Sequence, residues 1–312
     1  MAKRQGIYYW KCDRPSKSDS SVRNEDNLQV LPLISKLMTA YLGSSDFMLK
    51  SAGGQGNHLI YLAISNNKNY FIRVENGKDE DDYMCIETAI MDKVRRLGIP
   101  VPEMYIVDIS LKEYPFVYQI MEYIDCSDLN KVLIPDEADG ISIMYSIGKA
   151  IALWQSIELK GYGPFDSEKY ISQGVIEGIH KQYRDYFYLN LRKHLQILLD
   201  HNFIDSEKAR YIYTLIQENE QYLSINKGVL VHKDIALWNI LGDKTKIHAY
   251  IDWDDCIAGD PTDDLSLMAC YYSGEWLEPM IRGYESIKSL PKFFEKRFWL
   301  HLLRNMIFKA VI

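Results

Sequence analysis

The 312-residue chain is predicted to form an α+β fold in two lobes, a small β-rich N-lobe and a larger, mainly helical C-lobe. Three observations predict it. Short segments rich in β-branched and aromatic residues crowd the first third. Helix-period apolar patterns dominate from Ser127 onward. Two late apolar runs, Val229–His232 and Ile247–Asp252, flank a polar loop in the otherwise helical part. Hydrophobic residues make up 47% and charged residues 25%, a globular balance that excludes disordered, collagen-like and disulfide-scaffold classes.

Residues 1–27 are polar and rich in Ser, Lys and Asp, and are expected to form a flexible arm. A helix follows, with Leu31, Ile34, Leu37, Met38 and Tyr41 on one face, Asp26 or Asn27 as its cap and Gly43 as its left-handed stop. FMLKSA (47–52), HLIYLAI (58–64) and NYFIRV (69–74) read as strands, with SNNK (65–68) as a hairpin turn. The acidic run KDEDD (78–82) suits the positive start of a helix that carries Met84, Ile86, Ile90, Met91 and Val94. The prolines of LGIPVPEM (97–104) end it, and two strands are expected at Met104–Asp108 and Phe116–Met121. Beyond these lie helical patterns at Ile143–Ile157, His180–His201, Ser206–Leu223 and Phe293–Ile312. The division is therefore an N-lobe over 28–123 and a C-lobe over 124–312, with a cofactor expected in the cleft between them.

The formal charge of −7 and the lack of a basic stripe argue against a nucleic-acid partner and favour cationic small molecules. Cys12, Cys85, Cys126, Cys256 and Cys270 are odd in number and widely spaced, which suits a reducing cytoplasm better than a zinc site or disulfide framework. No apolar run approaches the roughly 18 residues a membrane span needs. The N-terminus also lacks the apolar core of a secretory signal, so a cytoplasmic location is expected.

The chemistry concentrates in VLVHKDIALWNIL (229–241) and YIDWDD (250–255). Phosphoryl transfer needs a carboxylate to orient the attacking hydroxyl, and oxygen ligands for the Mg²⁺ that bridges the phosphates. His232-x-Asp234 with Asn239 five residues after the Asp supplies a carboxylate and an amide; Asp252, after the next strand, supplies a second carboxylate. The full run, apolar strand to HxDxxxxN to apolar strand to Asp, is ordered and correctly spaced to supply those groups.

Here the sequence resembles the aminoglycoside phosphotransferase and choline kinase family, small-molecule relatives of the protein kinases. IDWDDCIAGDPTDDLSLM (251–268) looks like that family's IDW…GDP..DL signature, and the resemblance spans nearly the whole chain from Leu28. It implies a protein-kinase-like two-lobed fold, ATP or GTP with Mg²⁺ as cofactors, and transfer of the γ-phosphoryl group to a hydroxyl. It also implies Asp234 as the catalytic carboxylate, Asn239 and Asp252 as metal ligands, His232 as a structural brace, and Asp260 and Asp264 as bracing acids.

In the N-lobe, SAGGQGN (51–57) resembles the family's nucleotide loop, which implies that Gly53, Gly54, Gln55, Gly56 and Asn57 cradle phosphates. The resemblance also implies that Arg73 is the cation for the α- and β-phosphates, where the commoner residue is Lys, and that Glu87 pairs with it. QIMEYIDCSDL (119–129) looks like the segment joining the lobes, with Met121 behind the adenine ring and the backbone of Glu122 and Ile124 reading its edge.

A small-molecule acceptor is favoured over a protein. Ala236 stands where protein kinases carry Lys, DFG is replaced by Asp252-Trp253-Asp254, and Gly259-Asp260-Pro261 follows with no room for an activation segment. Asp254, Asp255, Tyr271, Tyr272, Glu275, Trp276 and Glu278 form a mix of carboxylates and aromatics expected to line a pocket for a hydroxylated, cationic substrate. LKGYGPFD (159–166) and the segment around Trp276 resemble hygromycin-type enzymes, although the glycines also read as a turn. The expected activity is that of an aminoglycoside-type antibiotic kinase. A housekeeping kinase of an amino alcohol, sugar or thiosugar, or a silent kinase-fold nucleotide-binding protein, are the alternatives.

Overall fold

The structure, a computed structural model, describes residues 4–13, 20–52, 58–65, 68–75, 83–133 and 138–312, with 20–28 described in their backbone alone. In chain order its elements are α1 (Trp10–Asp13), α2 (Ser20–Leu42), β1 (Phe47–Ser51), β2 (Leu59–Ser65), β3 (Asn69–Val74), α3 (Met84–Arg96), β4 (Met104–Asp108) and β5 (Tyr118–Glu122). There follow α4 (Leu129–Val132), α5 (Ala138–Trp154), β6 (Glu158–Leu159), β7 (Tyr162–Phe165), α6 (Ser167–Gln173), β8 (Gly178–His180), α7 (Tyr183–Phe187), α8 (Leu191–Asp200) and α9 (Ser206–Glu218). Last come β9 (Gly228–Val231), β10 (Ile240–Gly242), β11 (Ile247–Tyr250), β12 (Ile257–Gly259), α10 (Thr262–Met268), α11 (Leu277–Glu285) and α12 (Phe294–Val311). The chain divides into two compact units, one of Arg14–Met91 with Pro102–Asp125, the other of Met1–Asp13 with Asp92–Val101 and Cys126–Ile312.

The first of these units is built on an antiparallel sheet in the order β1-β2-β3-β5-β4. Strand β2 alternates as its sequence does: Leu59, Tyr61 and Ala63 point inward and are buried, as are Ile72 and Val74 of β3. Ile34, Leu37 and Met38 of α2 pack on this face, so the apolar stripe read from the sequence is the one buried. Gly43 takes φ +66°, the left-handed stop expected. The helix itself differs, beginning at Ser20, so that Asp26 and Asn27 lie within it and not at its start. The nucleotide-loop residues Gly53, Gly54, Gln55, Gly56 and Asn57 lie outside the described residues, as do Asn66, Asn67 and the acidic run 78–82.

The second unit holds a sheet of short strands in the order β6-β9-β12-β7-β8 and a separate hairpin of β10 and β11. Most of this sheet was not expected. Its strands are only two to four residues long, too few to show a period of two, and the LKGYGPFD segment reads as a turn after a helix. It is in fact β6 and β7, with Gly161 and Gly163 at φ +65° and +78°. A Cβ on Gly161 would stand 2.1 Å from the carbonyl oxygen of Gly178, so the two backbones meet only because neither residue has a side chain.

The long helical runs are also broken. Residues 180–201 split into β8, α7 and α8, with Asn190 in the left-handed region at φ +58° between the helices, and residues 206–223 end in a separate 3₁₀ turn. Apolar periodicity continues through such breaks because the flanking segments bury the same side. A third difference is the start of the chain. Residues Arg4–Asp13, expected as a flexible arm, pack into the second unit, with Tyr8, Tyr9 and Trp10 buried. Among the described residues no helix is long and apolar enough to cross a membrane.

Candidate active site

Strand β9, with all four of its residues buried, ends at Val231 and delivers His232, Lys233 and Asp234 into a loop. Two of the site's residues sit in the left-handed region that side chains rarely adopt, Lys233 at φ +68° and Asp252 at φ +66°. What holds the first is Asp264, whose carboxylate accepts the backbone N–H groups of His232 and Lys233, each at 3.1 Å, and the indole N–H of Trp154 at 3.0 Å. Burial pushes the Asp264 carboxyl up to about 6, while the three donors act in the opposite sense.

His232 is buried against Trp253, with ring centroids 4.4 Å apart. Its Nε2 lies 3.0 Å from the Ile251 carbonyl, and its Nδ1 accepts the Asp234 N–H at 3.3 Å. Burial lowers its pKa to about 4, so the ring is neutral and ties the loop to the end of β11. The bracing role expected of His232 and Asp264 matches these bonds. Asp260 accepts the Arg297 Nε–H at 2.8 Å and the Thr262 N–H at 2.8 Å, inside the same unit.

Asp234 is buried and paired with two ammonium groups and an amide. Its Oδ1 accepts from the Lys309 ammonium at 2.7 Å, and its Oδ2 from Lys11 at 2.9 Å and from the Asn239 amide at 3.1 Å. Burial alone would raise its carboxyl; the two ammonium charges outweigh that and hold it far below the usual carboxylate range. Asn239 also donates from Nδ2 to the Asp234 carbonyl at 2.7 Å, so its amide oxygen is the atom it can offer to a cation.

The β10–β11 hairpin brings the metal candidates together. Ile240 pairs with Tyr250, and the Ile251 N–H donates to the Asn239 carbonyl at 3.0 Å, which makes Asp252 the next residue along. A carboxylate and an amide oxygen are hard donors of the kind Mg²⁺ takes, with phosphate oxygens and water as its remaining ligands. Among the described residues no group of three or more His, Cys, Asp or Glu converges on a metal position.

The other sequence candidates divide. In the first unit, Arg73 pairs with Glu87, and Gln119 locks the pair by accepting the Arg73 Nε–H at 3.0 Å and donating to Glu87 at 3.2 Å. Met121 is buried in β5 opposite Phe71, the Glu122 N–H donates to the Glu103 carbonyl at 2.7 Å, and Ile124 is half-buried in the following loop.

In the second unit, Tyr271, Tyr272, Glu275 and Trp276 line a cavity of about 570 Å³ with Asn130, Leu133 and Leu237. Tyr272 stacks on Trp276 at 5.7 Å, and its hydroxyl accepts the Leu237 N–H at 3.0 Å, which connects the cavity wall to the catalytic loop. Three expected pocket residues are elsewhere. Asp254 and Asp255 are buried beneath the N-terminal segment: the Asp254 carbonyl accepts from Arg4, and Asp255 Oδ1 accepts the Trp10 N–H at 3.1 Å. Burial, helped by the Asp254 charge, raises the Asp255 carboxyl to about 7. Glu278 points to solvent with its side chain 76% exposed and lines no part of the cavity.

Lys11, Lys309, Lys233 and Asp263 were not found from the sequence. Lys233 and Asp263 have a local signal, since each adjoins a motif residue, and their side chains meet at 2.7 Å in a buried pair. No local pattern links residue 11 or 309 to residue 234.

The family described as the phosphotransferase enzyme family matches residues 50–295. A sequence comparison with curated proteins finds no match. Among solved structures the chain is similar to the aminoglycoside phosphotransferase APH(4)-Ia, as a thermostable mutant in the apo form (TM-score 0.61, 18% identity, 89% of this chain and 91% of that one). The ternary complex of another such mutant with AMP-PNP and hygromycin B is similar too (0.59, 20%, 88% and 88%). So are a protein of Thermobifida fusca assigned as a fructosamine-3-kinase (0.60, 15%, 85% and 87%) and the spectinomycin phosphotransferase APH(9)-Ia with ADP and spectinomycin (0.57, 16%, 85% and 80%). The α+β fold is that of the kinase-like phosphotransferases, and with four-fifths of its length matched by one family this chain is a member of the phosphotransferase enzyme family.

Proposed function

We propose that the protein is an ATP- and Mg²⁺-dependent kinase that phosphorylates a hydroxyl of an aminoglycoside-type antibiotic. The observation that carries this reading is the constellation at one loop and hairpin: buried, ionised Asp234, hydrogen-bonded to Asn239, with Asp252 at the end of the adjoining strand. The neighbours that hold AMP-PNP with hygromycin B and ADP with spectinomycin support a nucleotide and a hydroxylated antibiotic as the two substrates.

In the reaction the acceptor oxygen forms a bond to the γ-phosphorus while the bond from that phosphorus to the β–γ bridging oxygen breaks, and ADP leaves with the electron pair. Asp234 orients the hydroxyl and takes its proton late, then releases it to solvent. Mg²⁺, when bound, neutralises charge on the phosphate oxygens, and Asn239 and Asp252 are the residues that would hold it. Held so far below the usual carboxylate range, Asp234 is a weak base, so positioning and charge stabilisation supply most of the rate. Tyr271, Tyr272 and Trp276 supply flat apolar faces for sugar rings, and Glu275 is the one carboxylate lining that cavity among the described residues.

The test is a coupled ADP assay over a panel of aminoglycosides, glycated amines and free sugars, beside a susceptibility panel in a host expressing the chain. The sugars and glycated amines belong there because Asp254 and Asp255 are taken by the N-terminal segment, which leaves fewer carboxylates for a polycation. Asp234→Asn should lower turnover by about a thousandfold or more while nucleotide binding survives. Normal turnover by that variant would refute the assignment.

A further inference from the structure

We infer that Lys11, assisted by Lys309, is a phosphoryl-binding residue that the N-terminal segment supplies to the transfer centre. The inference rests on the kinase reading above and adds to it a residue that lies outside every motif.

The segment is built in rather than draped over the surface. Tyr8 stacks on Tyr186 at 4.9 Å, the Tyr186 hydroxyl donates to the Tyr8 carbonyl at 2.8 Å, and Asn190 donates to the Gly6 carbonyl at 2.8 Å. Asp13 closes the turn by accepting the Tyr8 N–H at 3.1 Å and pairs with Lys193 at 3.0 Å. The result of this anchoring is the placement of one ammonium. Lys11 Nζ stands 2.9 Å from Asp234 and 4.0 Å from Asp252, between the proposed catalytic and metal carboxylates.

Charge and donor count indicate what it meets there. Two ammonium groups, Lys11 and Lys309, meet the Asp234 carboxylate, so Asp234 keeps a charged partner in Lys309 when Lys11 turns toward a terminal phosphate bound beside it. An ammonium has three N–H donors, and the Lys11 side chain keeps a third of its surface open, whereas Lys309 also donates to the Tyr9 hydroxyl at 3.2 Å. The loop itself provides no such cation. Ala236 is buried, and Lys233 is spent on Asp263, the Tyr8 hydroxyl and Asn305 at 2.7, 3.1 and 3.1 Å. A compact, strongly hydrated ammonium on a flexible stem can follow the phosphoryl group from ATP toward the acceptor.

The experiment compares the 312-residue chain with its Lys11→Met and Lys11→Arg variants, measuring binding of AMP-PNP and of ADP with Mg²⁺ by calorimetry, together with kcat. A contact to the γ-phosphoryl group predicts that Lys11→Met weakens AMP-PNP about tenfold or more, leaves ADP binding unchanged and lowers kcat, with Lys11→Arg recovering part of both losses. Equal weakening of the two nucleotides would show that the segment is only structural, and unchanged or faster turnover would show that Lys11 is idle or obstructive; each overturns the inference while the kinase reading stands. If Asp234→Asn turned over normally in the same assays, both would fall.

Discussion

Lys309, in the last turns of α12, places its ammonium 2.7 Å from Oδ1 of Asp234, a residue 75 positions away. Removing it leaves a buried carboxylate with one fewer charged donor. Lys309→Met should cost about 1–3 kcal/mol of folding stability, and Lys309→Arg less, because the charge is kept while the planar fork fits the site less well. Urea denaturation of the three proteins checks this; a Lys309→Met protein as stable as the parent would mean that the pair contributes nothing net.

Asp264 uses both oxygens as acceptors, from two backbone N–H groups and one indole. Asp264→Asn replaces one accepting oxygen with a donating NH₂ facing another donor. The expected loss is about 1–3 kcal/mol. Because those N–H groups hold the Lys233 turn in its left-handed conformation, turnover should fall with stability. Thermal melting and kcat on the same preparations test it, and a neutral effect on both would refute this account of the loop.

The pH dependence of stability should follow Asp260. Burial alone would raise its carboxyl, but the His301 imidazole, the Arg297 guanidinium and the Thr262 N–H outweigh this and hold it well below the usual carboxylate range. A group whose folded pKa is depressed stabilises fully above its unfolded value, near about pH 4, and that contribution is lost as pH falls toward the folded value. Tm should therefore drop steeply below about pH 4. In Asp260→Asn the whole curve should lie lower at neutral pH and the acid slope should be shallower. A parallel acid slope in that variant would assign the transition to other groups.

Helices α5 and α11 approach through two glycines. A Cβ on Gly148 would stand 1.9 Å from the Met280 carbonyl oxygen, and one on Gly283 would stand 2.0 Å from that of Tyr145. Gly148→Ala should destabilise by about 1–3 kcal/mol even though alanine is the better helix former, because backbone cannot move aside as a side chain would. A melt showing Gly148→Ala more stable than the parent would show that the helices have slack.

Much of the site was readable because its chemistry is local. Asp234 and Asn239 are five residues apart on one loop, and Asp252 lies one hairpin later, so chain connectivity alone sets their approximate spacing. Strands β1 to β5 were readable for a related reason: each carries enough residues for its composition to show, and in β2 the inward positions alternate in the sequence itself. Strand β8 was not, since three residues between two helices reveal no period, and β6 and β7 were hidden by glycines that serve a close backbone crossing.

What residue order alone decided here is the chemistry on offer: a carboxylate, an amide and a second carboxylate in the order phosphoryl transfer uses, within a chain whose N-terminal β-rich and later helical patterns announce an α+β fold. Folding decided which charges those groups meet. Asp254 and Asp255 read as open acids and are instead buried under Arg4 and Trp10. Lys11 and Lys309, which no motif marks, grip Asp234 from opposite ends of the chain. Electrostatic pairing depends on distance in space, and for residues hundreds of positions apart that distance is set by how the whole apolar core packs, which no local pattern encodes.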